Sequence, residues 1–74
     1  MRGARIKHNN GSIHHYSNAE KALNDLKNKL DFMYNEDITL KLEAYYEKNQ
    51  KLEFYIIAYK GDWEYGKVGI LEIL

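Results

Sequence analysis

The sequence predicts an α+β domain in which one helix packs on a three-stranded antiparallel meander sheet. Three observations carry this expectation. Apolar residues recur every three or four positions from Ala19 to Met33, the spacing of one helix face. From Asp37 onward the period falls to two, as in a strand with one buried face. The chain has 74 residues, which leaves room for one domain, 1–74, with a small core.

The helix has its own punctuation. Ser17-Asn18-Ala19-Glu20 reads as a capping box, with Ser17 as N-cap and Glu20 at the third helical position. Ala19, Ala22, Leu23, Leu26, Leu30 and Met33 form the apolar stripe; Lys21, Asn24, Asp25, Asn28 and Lys29 take the other side. Lys21 with Asp25, Asp25 with Lys29, and Lys27 with Asp31 stand four apart, each pair worth a few tenths of a kcal/mol. The helix is expected over 18–34, with Asn35 as a left-handed stop.

The sheet follows in 37–74. Ile38, Leu40, Leu42, Ala44 and Tyr46 alternate with polar or Tyr positions in a first strand from Asp37 to Tyr46. Glu47-Lys48-Asn49-Gln50 is a polar turn in which Asn49 can take the left-handed conformation. A second strand runs from Lys51 to Lys60, with Leu52, Phe54, Ile56 and Ala58 inward and Glu53, Tyr55, Ile57 and Tyr59 outward. Gly61-Asp62 is a turn, and a last strand begins near Trp63. The first 16 residues form a basic arm or a short hairpin. In the hairpin alternative Asn10-Gly11 is a two-residue turn, which sets Ile6, His8, Ile13 and His15 on one face.

Composition narrows the function classes. Eleven basic and eleven acidic residues give zero net charge, which argues against a broadly basic nucleic-acid binder and against an acidic DNA mimic. The balance is local, however. Arg2, Arg5 and Lys7 stand without an acid in residues 1–19, whereas residues 20–74 hold 8 bases and 11 acids. Cysteine is absent, so neither a disulfide nor a thiolate metal cluster can staple the fold. No apolar run approaches the roughly 20 residues that span a bilayer, and no secretory signal pattern opens the chain. A cytoplasmic protein without membrane association is the expectation.

The chemistry-bearing residues are sparse. His14 and His15 are adjacent, and neighbours on a strand point to opposite faces, a poor chelate. His8 can join one of them across the hairpin, but a third ligand is missing. Glu43 and Glu53, with Glu64 beside them, read as partners of Lys41 and Lys51 rather than as an acid/base pair. The Gly66 and Gly69 spacing inside a strand reads as a bulge or a close approach. No catalytic residue, metal site or cofactor is expected, and the chain is not expected to be an enzyme.

Uncovered apolar surface is the strongest functional signal. One helix covers one sheet face, which leaves Tyr45, Tyr55, Ile57 and Tyr59 outside. Val68, Ile70, Leu71 and Ile73 make the last strand apolar at both parities, as in strands buried on both faces. A second subunit is the simplest cover, so a homodimer built on Tyr55, Ile57, Tyr59, Val68, Ile70, Leu71 and Ile73 is expected. A bulge at Gly66 or Gly69 offers another solution by switching the phase of the strand. The expected role is a small homodimeric interaction protein with a further, unidentified protein partner. The alternative is a nucleic-acid binder that uses Arg2, Arg5 and Lys7 with a Tyr-rich sheet face.

The helix from Asn18-Ala19-Glu20-Lys21 to Tyr34, followed by strands Asp37 to Tyr46, Lys51 to Lys60 and Trp63 to Leu74, resembles the YopT-like hypothetical proteins of Bacillus prophage origin. Length, element order and a Lys/Asn/Tyr-rich style carry the resemblance over about four fifths of the chain. It implies a homodimer with one helix and three strands per subunit, a phage or prophage accessory role, and no catalytic residues. It also implies that the first 16 residues are an irregular arm.

Overall fold

The N-terminal segment is a hairpin built into the sheet, which has five strands where three were expected. The computed structural model describes residues 2–48 and 51–74, with side chains described outside 44–48 and 51. Strands β1 (Ala4–His8) and β2 (Ile13–Tyr16) precede helix α1 (Ala19–Tyr34), and β3 (Thr39–Lys48), β4 (Lys51–Lys60) and β5 (Trp63–Ile73) follow it. The sheet order is β2-β1-β5-β4-β3, with every neighbouring pair antiparallel.

The first turn holds three residues rather than two. Gly11 N–H donates to His8 O at 2.9 Å, and His8 N–H donates to Ser12 O at 2.8 Å. Gly11 takes the positive φ (90°), whereas Asn9 and Asn10 do not. This is a type I turn closed by a glycine bulge, and the Asn10 side chain accepts from Ser12 N–H at 2.9 Å. Ile6 therefore pairs with His14, and Lys7 with Ile13. A one-residue slip exchanges the faces of β2. His14 and Tyr16 join Ile6 and His8 on the helix side, and Ile13 and His15 turn to the opposite side.

The helix cap lies one residue later than expected. Asn18 is the N-cap, and its side chain accepts from Lys21 N–H at 2.8 Å. Ala22, Leu26 and Leu30 are the buried stripe. Asn35 ends the helix in the left-handed conformation, with its N–H bonded to Asp31 O. Two of the expected ion pairs form, Lys27 with Asp31 at 2.9 Å and Lys29 with Asp25 at 3.1 Å. Lys27 also reaches Asp37 and the Ile38 carbonyl, and Asp31 accepts Ile38 N–H at 2.7 Å. These contacts lock the helix end to the start of β3.

Ala4, Ile6, Ile38, Ile56, Ala58 and Leu71 meet the helix stripe in one core. The inward set of β4 is as the alternation predicts. The expected turn at 47–50 narrows, since Glu47 and Lys48 belong to β3, and residues 49 and 50 lie outside the described residues. The second turn has Gly61 at φ 58° in its first central position, which the mirror-image hairpin turns require.

Strand β5 is not an edge strand. It lies in the middle of the sheet, between β1 and β4. Ile56 pairs with Gly69 but Ile57 pairs with Lys67, so Val68 is an extra residue. That bulge turns Val68, Gly69, Leu71 and Ile73 to the helix side and leaves Ile70 and Glu72 on the open side. A second register shift accompanies Gly66, at φ 107°. The two-sided apolar pattern of β5 thus reflects a bulged central strand. Leu71, expected at a dimer surface, is fully buried in the core, and Val68 packs against that core.

Candidate functional site

Two surfaces remain for function, the open sheet face and a groove beside the helix. Topology sets both. The helix starts beside β2 at one end of the sheet and finishes beside β3 at the other, so it crosses the sheet diagonally. Among the described residues, no layer covers the reverse face of the sheet.

On the open face, register places Arg5, Lys7, Ile13 and His15 beside Ile70 and Glu72, then Glu53, Tyr55, Ile57 and Tyr59, then Lys41 and Glu43. Tyr55 and Ile13 are each 43% exposed. Ile57 is nearly buried, although it faces away from the helix. Lys41 Nζ lies 4.6 Å from the Tyr59 ring centre and Lys67 Nζ lies 5.2 Å from that of Tyr55. These rings and lysine stems shelter Ile57. The Tyr59 hydroxyl donates to Glu43 and Glu64 at 3.2 and 3.1 Å. Burial and these two carboxylates push its pKa up to about 12.

The open face also buries an acid. Glu72 is 1% exposed. Arg5 donates from Nε and Nη2 to Glu72 Oε2 at 3.0 and 2.8 Å. Lys7 Nζ stands 3.3 Å from Oε1, within ion-pair range but without hydrogen-bond geometry. Burial pushes the Glu72 carboxyl up, and the two cations outweigh it, so its pKa lies below the usual range. Two of the three residues of the expected basic arm are therefore joined to a buried carboxylate at the far end of the chain, 67 residues from Arg5. Arg2 is exposed. The alternation in the sequence singles out Glu72 as the polar exception in an apolar strand. What it lacks is the pairing of β1 with β5 that brings Arg5 opposite.

This carboxylate gives a pH dependence with a definite sign. The folded pKa lies below the unfolded value of about 4.3. Its stabilisation is present above that value and is lost as pH falls through the folded pKa. Asp25, Asp31 and Glu36 are shifted in the same direction by their hydrogen-bonding partners. Glu72→Gln should lose about 1.5–3 kcal/mol at neutral pH, the range for hydrogen bonds to charged groups. Urea unfolding at several pH values checks this. The gap between wild type and variant should narrow as pH falls below the unfolded value and close once it passes the folded pKa, and parallel curves across that range would contradict the assignment.

The groove lies between α1 and the β1–β2 turn. Leu26, Leu30, Met33 and Val68 form its apolar floor; His8, His14, Asn9, Asn10, Ser12 and Lys29 supply polar groups around it, in a cavity of about 350 Å³. His8 Nε2 and His14 Nδ1 are 3.0 Å apart. Burial lowers the His8 pKa, and the charges of His14 and Lys29 add to that. At the side of the groove the Tyr16 hydroxyl donates to Asp25 at 2.6 Å. Burial and that bond push the Tyr16 pKa up to about 12.

Other large apolar side chains are exposed at the same end of the domain. Phe32, Met33 and Tyr34 end the helix, and Trp63 and Tyr65 open β5. Tyr34 and Tyr65 stack with ring centres 5.3 Å apart, and Glu36 bonds both Tyr65 and Lys60. Periodicity placed Met33 in the apolar stripe, yet it is exposed, because the helix runs past the edge of the core there; Phe32 and Tyr34 fall outside that stripe. Of the expected dimer residues, Tyr55, Ile57, Tyr59 and Ile70 share the open face, whereas Val68, Leu71 and Ile73 face the helix layer.

Among the described residues, no group of three or more His, Cys, Asp or Glu is arranged to hold a metal ion. No helix there is long and apolar enough to cross a membrane. Compared with known proteins, the chain matches no family model, no curated protein and no solved structure.

Proposed function

We propose that this chain is a non-enzymatic interaction module that pairs with a second copy of itself through the open sheet face. The observation that carries the reading is a five-stranded sheet with a helix on one side only, whose reverse side exposes Ile13 and Tyr55 around Tyr59 and Ile70. Charge supports a second copy as the occupant. Arg5, Lys7, Lys41 and Lys67 on that face are balanced by Glu43, Glu53, Glu64 and Glu72, and the whole chain is neutral. Two such faces therefore meet without net repulsion. Apolar surface with a mixed polar rim is the usual anatomy of an interface, and a two-fold pair is the commonest assembly. A role as a phage or prophage accessory factor, from the YopT-like resemblance, belongs to the same proposal.

The nucleic-acid alternative is the weaker one, because Arg5 and Lys7 already serve Glu72. Sedimentation of the full chain tests the reading. Wild type should run at twice its 8.8 kDa mass at micromolar concentration. Tyr55→Glu and Ile13→Glu, both at exposed positions, should run as single chains with unchanged circular dichroism. A wild-type protein that stays single at high concentration would remove the proposal.

A further inference from the structure

We propose that His8 and His14 form a two-imidazole site for a divalent transition metal, Cu²⁺ or Ni²⁺ ahead of Zn²⁺, at the mouth of the groove between α1 and the β1–β2 turn. Distance makes the case. The facing nitrogens, His8 Nε2 and His14 Nδ1, are 3.0 Å apart, with ring centres 4.9 Å apart and ring planes at 70°. Metal–imidazole bonds are about 2.0–2.1 Å long. Two such ligands at a right angle stand about 2.9 Å apart, and at the tetrahedral angle about 3.3 Å. The observed separation fits the right-angled arrangement of tetragonal Cu²⁺ and Ni²⁺ sites. Zn²⁺ requires the rings to part by a few tenths of an ångström.

The hairpin register creates this pair. The three-residue turn brings His14 opposite Ile6, on the face that carries His8, and sends His15 to the other face. Without metal the two nitrogens share a hydrogen bond, with one ring's proton on the inner nitrogen; metal binding moves that proton to the outer nitrogen of the same ring, so both bind as neutral imidazoles. Water completes the coordination sphere, and the polar groups of Asn9, Asn10 and Ser12 on the same groove can hold that water. Lys29 also lines the groove and opposes a cation there. Its ion pair with Asp25, at 3.1 Å, weakens that opposition.

Calorimetric titration of the full chain with CuCl₂, NiCl₂ or ZnCl₂ alone, in a non-coordinating buffer, tests the site. One ion should bind per chain, in the affinity order Cu²⁺, Ni²⁺, Zn²⁺. His14→Ala and His8→Ala should each weaken binding about tenfold or more, whereas His15→Ala should leave it unchanged. Lys29→Gln should tighten it. Ring NMR signals give a readout independent of hairpin stability, since Cu²⁺ should broaden those of His8 and His14 before that of His15. Binding that survives His14→Ala, that depends on His15, or that needs two chains per ion would overturn the site. So would the absence of saturable binding up to millimolar metal.

Discussion

Leu71→Ala should lower the unfolding free energy by about 2–5 kcal/mol, the range for truncation of a fully buried aliphatic side chain. Leu71 is at zero exposure in the core. Ile6 stands opposite it on β1, and Phe54 on β4. Both adjoining strands are held in ladders, which limits how far their backbones can close the space. Domains carry about 0.05–0.15 kcal/mol of stability per residue. The loss is therefore a large fraction of what 74 residues provide. Ile70→Ala, one position along on the open face, should lose much less. Urea unfolding of the two variants decides the matter: a larger loss in Ile70→Ala would mean that β5 has the opposite phase. The same fact rules out Leu71→Asp as a probe of self-association, because a charge there unfolds the chain before any interface is tested.

Gly69→Ala should cost about 1–3 kcal/mol through crowding alone. A Cβ at Gly69 meets the Lys7 carbonyl oxygen at 2.8 Å and Ile6 Cγ2 at 3.4 Å. The backbone oxygen belongs to β1, so relief requires β1 to move away from β5. Hydrogen exchange should then accelerate for the amides between β1 and β5 more than for those between β3 and β4. Gly66→Ala makes the contrast. A Cβ there meets nothing within 4 Å, but φ is 107°, so its loss arises from backbone strain. Uniform exchange across the sheet in Gly69→Ala would show that the close approach is not what holds the N-terminal hairpin in place.

The elements that were legible in the sequence are those whose signals are local. The helix, with its stripe of Ala22, Leu26 and Leu30 and its Asn35 stop, is written in neighbouring residues, and so is the inward face of β4. The N-cap slipped by one residue because Ser17 and Asn18 are both good caps in adjacent positions. The β1–β2 register failed for a related reason. Asn9-Asn10-Gly11 satisfies a two-residue mirror-image turn and a three-residue turn with a glycine bulge equally well. Only the second puts Ile6 and Tyr16 under the helix together. That choice exchanged His15 for His14 as the partner of His8, and with it the side of the sheet on which the histidines meet.

Local patterns in the chain were enough for the fold class, the helix, the meander from β3 to β5 and the absence of any cysteine staple. Periodicity and turn residues act over a few positions, and those features need nothing more. Contacts across the chain were needed to bring the hairpin of β1 and β2 into the sheet and to make β5 its central strand. They also turned Arg5 and Lys7 from a free basic arm into the partners of a buried Glu72. Each of these depends on β1 meeting β5, a contact between residues more than 60 positions apart. Its register is set by core packing, a bulge at Val68 and the missing side chain at Gly69. A one-dimensional pattern holds each of those residues, but nothing in it says which ones come face to face.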